Sequence, residues 1–265
     1  MSRLWSGILA IAIGAASVGC AASSTPVMAT APTVKAGSLT RFIVQEQFLY
    51  ALNKQQLIVY DLEKGPDAPP EKVRTLPIAA EVETLFPYGH LLFVGTRQGM
   101  LVYELADDPT APKLIGQASH VVSCDPVVVE NDIAYVTLRS SSSCRRGQNA
   151  LLVFDVKDPT RPRELVSRPM TSPHGLGVDG NKLFVADAKD GLLVFDVRDP
   201  RDPKLIGEAH DVAGYDVIAH AGTLFVSAED GLYQYRYGPK GDVAPQPLSR
   251  IPIGAPTLQV ATEAK

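Results

Sequence analysis

Apolar residues along most of this chain fall in short runs bounded by Gly, Pro, Asp or Asn, and beyond residue 20 they show little helical spacing. One run recurs five times: Leu57-Ile58-Val59-Tyr60-Asp61, Met100-Leu101-Val102-Tyr103-Glu104, Leu151-Leu152-Val153-Phe154-Asp155, Leu192-Leu193-Val194-Phe195-Asp196 and Leu232-Tyr233-Gln234-Tyr235-Arg236. The starts are 43, 51, 41 and 40 positions apart, and the long interval holds an insertion from Ser140 to Gln148. A second run precedes each copy, with an aromatic at Tyr50, Phe93, Tyr135, Phe184 and Phe225. A third precedes that, as in Val127-Val128-Val129 and Asp216-Val217-Ile218. Three copies are followed by Asp-Pro with a second proline three residues on: Asp108-Pro109 with Pro112, Asp158-Pro159 with Pro162, and Asp199-Pro200 with Pro203. Proline presets φ and Asp bonds the local backbone, so this spacing makes a reproducible turn. It leads into a last short strand, such as Lys204-Leu205-Ile206-Gly207. The first and fifth copies carry weaker versions, around Gly65-Pro66 and Gly238-Pro239.

Four short strands per unit of roughly 40 residues predict the blade of a β-propeller. A blade with two apolar faces needs a neighbour on each side, so the units must stack. Residues 39–254 accommodate five four-stranded blades, and the expected fold class is an all-β, five-bladed β-propeller. The elements Leu-Leu-Val-Phe-Asp-Val and Asp-Pro-x-x-Pro-Lys-Leu-Ile-Gly resemble the LVIVD-repeat family of bacterial propeller-like proteins, clearest between Asp125 and Val226. That resemblance implies an exported propeller and brings no assigned activity.

The start of the chain reads as an export signal. Arg3 precedes an apolar stretch from Leu4 to Val18, which ends in Ser17-Val18-Gly19-Cys20. The arrangement resembles a bacterial lipoprotein signal over residues 1–19, with Cys20 the lipidated residue of the mature N-terminus; Ser17 stands where a larger aliphatic residue is usual. Cleavage near Ala29 or Ala31, or an uncleaved anchor, are the competing readings. Residues 20–38 are dominated by Ala, Ser, Thr and Pro and read as a tether, and residues 255–265 read as a loose tail. With Ala21 after the cysteine, and no Asp to retain it at an inner membrane, the expected address in a Gram-negative cell is the outer membrane.

Charge and cysteine content narrow the function. A formal net charge of −4 and a pI near 5.7 argue against nucleic-acid binding. Besides Cys20 the cysteines are Cys124 and Cys144. In a propeller blade the start of the first strand and the loop joining strands two and three share a face, so both cysteines fall on one face of the third blade. Export favours a disulfide between them, pinning the insertion.

Aligning the blades on their aromatics places Arg41, Glu83, Asp125, His174 and Asp216 at the start of the five innermost strands, around one mouth of the channel. Three uses follow. The side chains cap loop amides and one another; they hold a small polar ligand or a metal; or Glu83, Asp125 and Asp216 serve as the carboxylates of a glycosidase-like site. Against the last, the only Trp is Trp5, in the signal. No nucleophile elbow or phosphate loop is present, and neither a catalytic residue nor a cofactor is expected. The expected function is a membrane-anchored binding or scaffold propeller. It presents a loop-rich face to an envelope protein, with Arg139, Arg145 and Arg146 of the insertion as contacts; a small ligand at the channel mouth is the alternative.

Overall fold

The structure is a computed structural model, and it describes residues 37–65, 67–119, 126–140, 148–238 and 244–253. Five antiparallel sheets of four strands follow one another along the chain. The first blade is β1 (Phe42–Gln45), β2 (Phe48–Asn53), β3 (Gln56–Asp61) and β4 (Glu71–Pro77). The second is β5 (Val82–Tyr88), β6 (Leu91–Thr96), β7 (Gly99–Glu104) and β8 (Lys113–Ser119). The third comprises β9 (Val127–Glu130), β10 (Ile133–Leu138), β11 (Ala150–Asp155) and β12 (Arg163–Pro169). The fourth comprises β13 (Pro173–Asp179), β14 (Lys182–Asp187), β15 (Gly191–Asp196) and β16 (Lys204–Ala209). The fifth is β17 (Gly214–His220), β18 (Thr223–Ala228), β19 (Gly231–Arg236) and β20 (Gln246–Pro252). The expected five-bladed propeller is the observed fold, and the recurrent Leu-Leu-Val-Phe run is the third strand of each blade. All five blades carry the same register shift between strands three and four, at Val59/Tyr60, Val102/Tyr103, Val153/Phe154, Val194/Phe195 and Gln234/Tyr235. A bulge there bends and twists every blade in the same way.

The first strands β1, β5, β9, β13 and β17 lie innermost, with contacts from β1 to β5, β5 to β9, β9 to β13 and β13 to β17. The two faces of each blade pack against different neighbours, as a period of two requires. Tyr50, Leu57 and Val59 face the second blade; Phe93, Met100 and Val102 face the third; Tyr135, Leu151 and Val153 face the fourth; Phe184, Leu192 and Val194 face the fifth. All are at most 3% exposed.

The Asp-Pro turns do more than reverse the chain. Each docks on the blade before it: the Tyr50 hydroxyl donates to the Pro109 carbonyl at 2.8 Å, and Arg168 to the Pro203 carbonyl at 2.8 Å. Gly116 lies so near Pro159 that a Cβ there would sit 2.0 Å from the Pro159 carbonyl oxygen.

The seam between the fifth and first blades differs. By register Phe225, Leu232 and Gln234 occupy the forward face of the fifth blade, and all three are only half-buried. On the facing side of the first blade Leu49, Ala51, Ile58 and Tyr60 are half-buried, and Phe42 and Val44 are 64% and 42% exposed. Gln234 stands where the other blades have Val59, Val102, Val153 and Val194. Ala51 stands where they have Val94, Val136, Val185 and Val226. Among the described residues the seam is instead held near the axis by the segment leading into β1. The Ser38 hydroxyl donates to Asp216 Oδ1 at 2.8 Å and accepts from the Leu176 amide at 2.7 Å, while the Leu39 amide donates to Asp216 Oδ2 at 3.3 Å. The Thr40 carbonyl accepts from the Leu85 amide at 2.8 Å. Gly37 and Ser38, which the sequence places in the tether, are buried.

Candidate functional site

Residues Arg41, Glu83 and His174, placed at the channel mouth by blade alignment, line one cavity of about 310 Å³. Arg97, from the turn after β6, and Arg139, just beyond β10, complete its charged lining. Leu39, Thr84 and Pro126 form the rest of the wall. The site is thus assembled from the starts of inner strands and from loops joining second to third strands, which antiparallel pairing brings to one face.

Arg97 is neutralised where it stands. Its guanidinium pairs with Glu81 at 2.5 Å and with Glu83 at 3.1 Å. Arg41 differs: among the described residues its guanidinium reaches only the Val82 carbonyl, at 3.4 Å. No described carboxylate lies within ion-pairing distance of Arg41 or of the half-buried Arg139. Burial pushes the His174 imidazole below its ordinary range, and the Arg139 charge pushes it further, with Asp187 pulling partly back. His174 also packs against the Tyr215 ring, with centroids 5.6 Å apart, and its carbonyl accepts from the Thr137 hydroxyl at 2.5 Å. Near neutral pH it is an uncharged imidazole beside Arg139.

Asp216 is not part of this lining. It is largely buried in the clasp with Ser38 and Leu39, takes a third hydrogen bond from the Val217 amide at 2.9 Å, and lies against Gly37 and Gly175. A Cβ at Gly175 would fall 2.1 Å from Asp216 Oδ1. Burial raises this carboxyl above its ordinary range, while the three donors oppose the shift. Asp187, fully buried at the end of β14, accepts from the amides of Ser172, Lys189 and Asp190 at 2.8, 3.0 and 3.1 Å and is a turn cap. Asp125, Cys124, Cys144, Arg145, Arg146 and Cys20 lie outside the described residues, as do the expected signal, the expected tether up to residue 36 and the expected tail from 255. Arg97 was legible only as a member of the same loops. Its lining role follows from the register Val82 to Thr96, which sets its turn beside the start of β5. Among the described residues no group of three or more His, Cys, Asp or Glu is placed to hold a metal ion, and no helix is long and apolar enough to cross a membrane.

On the opposite face the carboxylates of the turns are held locally. Asp108 accepts from the Thr110 amide and hydroxyl at 2.9 and 2.6 Å, and Asp158 repeats the pattern with Thr160 at 3.1 and 2.6 Å. Asp155 pairs with Arg163 at 3.0 Å and Asp196 with Arg198 at 2.5 Å.

These features define a β-propeller with a polar mouth on one face. Residues 174–211 match the LVIVD repeat, and that span runs from the start of the fourth blade to just past its outer strand. One repeat is one blade, and the sequence resemblance is supported by this match. No curated protein matches the chain. Among solved structures, the periplasmic gluconolactonase of Pseudomonas aeruginosa aligns over 78% of this chain and 68% of its own, with a TM-score of 0.59 and 17% identity. A putative 6-phosphogluconolactonase from Bacteroides fragilis aligns over 80% and 69%, with a TM-score of 0.64 and 11% identity. The computationally designed Ika8 protein aligns over 79% of this chain, with a TM-score of 0.56 and 11% identity, and the match spans only 60% of its length. At these identities the likeness establishes the fold alone.

Proposed function

We propose that the protein is a non-enzymatic binding module of the cell envelope that engages a partner through its channel-mouth face. In this reading it is exported and held to a membrane by lipid on Cys20, the outer membrane in a Gram-negative cell. The observation that carries the proposal is the asymmetry of the two faces. The Asp-Pro face pairs its carboxylates internally, whereas on the other Arg41 and Arg139 line one cavity with no ion pair among the described residues, next in sequence to the Ser140–Gln148 insertion. Guanidiniums that open into a cavity on a rigid scaffold are suited to recognition. The carboxylates argue for binding over sugar hydrolysis: Glu83 is tied to Arg97 and Asp216 is enclosed in the clasp.

The test is co-purification from gently solubilised envelopes with a C-terminally tagged chain. Forms lacking residues 140–148 or carrying Cys20→Ser serve as comparison. A stoichiometric partner lost on removing the insertion, from a protein with unchanged thermal unfolding, is the expected result. A partner retained by both the insertion deletion and a variant lacking Arg41 and Arg139 overturns the choice of face.

A further inference from the structure

The charged lining of the channel mouth is unequal in sign. Three guanidiniums, those of Arg41, Arg97 and Arg139, meet one lining carboxylate, Glu83, among the described residues. Glu83 together with Glu81 already occupies Arg97. Two planar donor forks therefore remain without an ion pair among the described residues, on different blades and lining the same cavity. Arg41 comes from the lead into β1 and Arg139 from the end of β10, so the rigid propeller and not a single flexible loop sets their spacing. A cation would be repelled by both.

Cavity size limits what enters. A volume of about 310 Å³ is at the small end of ligand sites. It suits a compact group, either a small free molecule or the tip of a larger partner. The walls supply groups complementary to such a ligand's other atoms: Leu39 and Pro126 are apolar, Thr84 carries a hydroxyl, and the His174 ring stands beside Arg139.

We infer that the channel mouth is an oxyanion-binding site in which Arg41 and Arg139 clamp a carboxylate or phosphate group from two sides. Arginine presents its N–H donors in a plane that matches two oxygens of such a group, and charge-assisted bonds of this kind are the strong ones. This deepens the proposed function by naming the chemistry its binding face recognises, and it rests on that reading only for the choice of biological partner.

The experiment titrates the intact exported chain by calorimetry at constant ionic strength with three probes: citrate, inorganic phosphate, and a short Glu-rich peptide with blocked ends. The two free anions test a small-molecule source, and the peptide tests an acidic side chain of a protein. Saturable one-to-one binding of any of them is expected. Arg139→Ala and Arg41→Ala should each weaken it by roughly tenfold to a hundredfold. Arg139→Lys should recover only part, since it keeps the charge and loses the fork. Arg201→Ala, on an exposed turn elsewhere, should bind as the parent does. Neither cavity arginine holds a described ion pair, so the unliganded variants should unfold with the parent and a loss of binding reads on the site itself. Absence of saturable binding for all three probes overturns the inference, as does unchanged affinity in the Arg41 and Arg139 variants. If envelope co-purification persists in those variants but fails on deleting the insertion, the binding function stands while the oxyanion site falls.

Discussion

Phe184 and Phe225 sit at the same position of consecutive blades, and the propeller gives them different worth. Phe184 is fully buried between the fourth and fifth blades, its ring 4.7 Å from that of Tyr237. Truncation to Ala there should cost about 3–5 kcal/mol, the usual range for a core Phe whose cavity cannot collapse. Phe225 faces the seam with the first blade and keeps part of its surface in water. Burying a Phe side chain fully is worth up to about 3 kcal/mol in transfer terms, and a partly exposed one keeps about two thirds of that with little cavity term. Phe225→Ala should therefore cost about 1–2 kcal/mol. Urea unfolding followed by far-ultraviolet circular dichroism gives both values, since the only Trp is Trp5, outside the described residues. The same asymmetry makes the seam the place where the ring opens first, so amides of the fifth blade should exchange at lower free energy than those of β10 and β14. Equal losses in the two variants, with uniform protection, would refute the reasoning and mean that the seam is as well sealed as the other four interfaces.

Other consequences follow from particular groups. Because burial raises the Asp216 carboxyl, its contribution to folding is fully present below the ordinary carboxylate range and is lost as pH rises through its folded value. Relative to Asp216→Asn, the parent should thus be most stable at about pH 3 and lose ground towards about pH 7; a difference in urea midpoint that is flat or reversed contradicts this. Gly191 has a φ of 85° and an added Cβ would stand 2.2 Å from the Ala209 carbonyl oxygen, so Gly191→Ala should cost more than about 2 kcal/mol. Gly180→Ala, at a φ of 59° in open space, should cost about 1 kcal/mol in the same unfolding assay. His174 faces Arg139 from the third blade, Asp187 from its own and the Tyr215 ring from the fifth. An anion of fixed charge over this range, such as sulfate, neutralises Arg139 and lets the imidazole protonate more readily, so its affinity should rise as pH falls from about 8 to about 5. His174→Gln should flatten that profile, and a parent profile already flat would sever the link.

Where a residue repeats, its role was legible. The run from Leu192 to Asp196 and its four counterparts marked third strands because every blade faces the same packing problem. Aromatics such as Phe93 and Phe184 marked second strands for the same reason. Even the weakening of the pattern has a physical reading. The first copy lacks the Asp-Pro turn, which in the second, third and fourth blades docks on the blade before. The weak copy falls at the seam, where such docking is absent among the described residues. Asp216 shows the limit of alignment. Its position at the head of an inner strand matched that of Glu83 and His174, yet it turns towards Ser38, because Gly175 and Gly37 leave room for a carboxylate there. Neither glycine carries a repeat signal, and the partner comes from a segment, rich in small residues, that read as tether.

The same contrast bears on where binding chemistry sits. Selection for stacking alone would leave equivalent positions alike, as it does for Val59, Val102, Val153 and Val194. The mouth positions are instead unlike one another: Arg41, Glu83 and His174 head three inner strands, and Arg139 has Arg97 as its nearest counterpart. A propeller needs no such variety to close its core, and Arg41 and Arg139 return nothing to stability through ion pairs with described residues. Two guanidiniums lining one cavity with no counter-charge among the described residues cost some mutual repulsion, which a bound oxyanion would reverse into attraction. Stability and affinity should therefore move in opposite directions at these positions: Arg41→Gln or Arg139→Gln should leave the empty protein as stable as the parent or slightly more so, while removing the stabilisation that citrate confers. Thermal unfolding with and without citrate reads both quantities on one sample, and a variant losing stability when empty would assign that arginine to the scaffold.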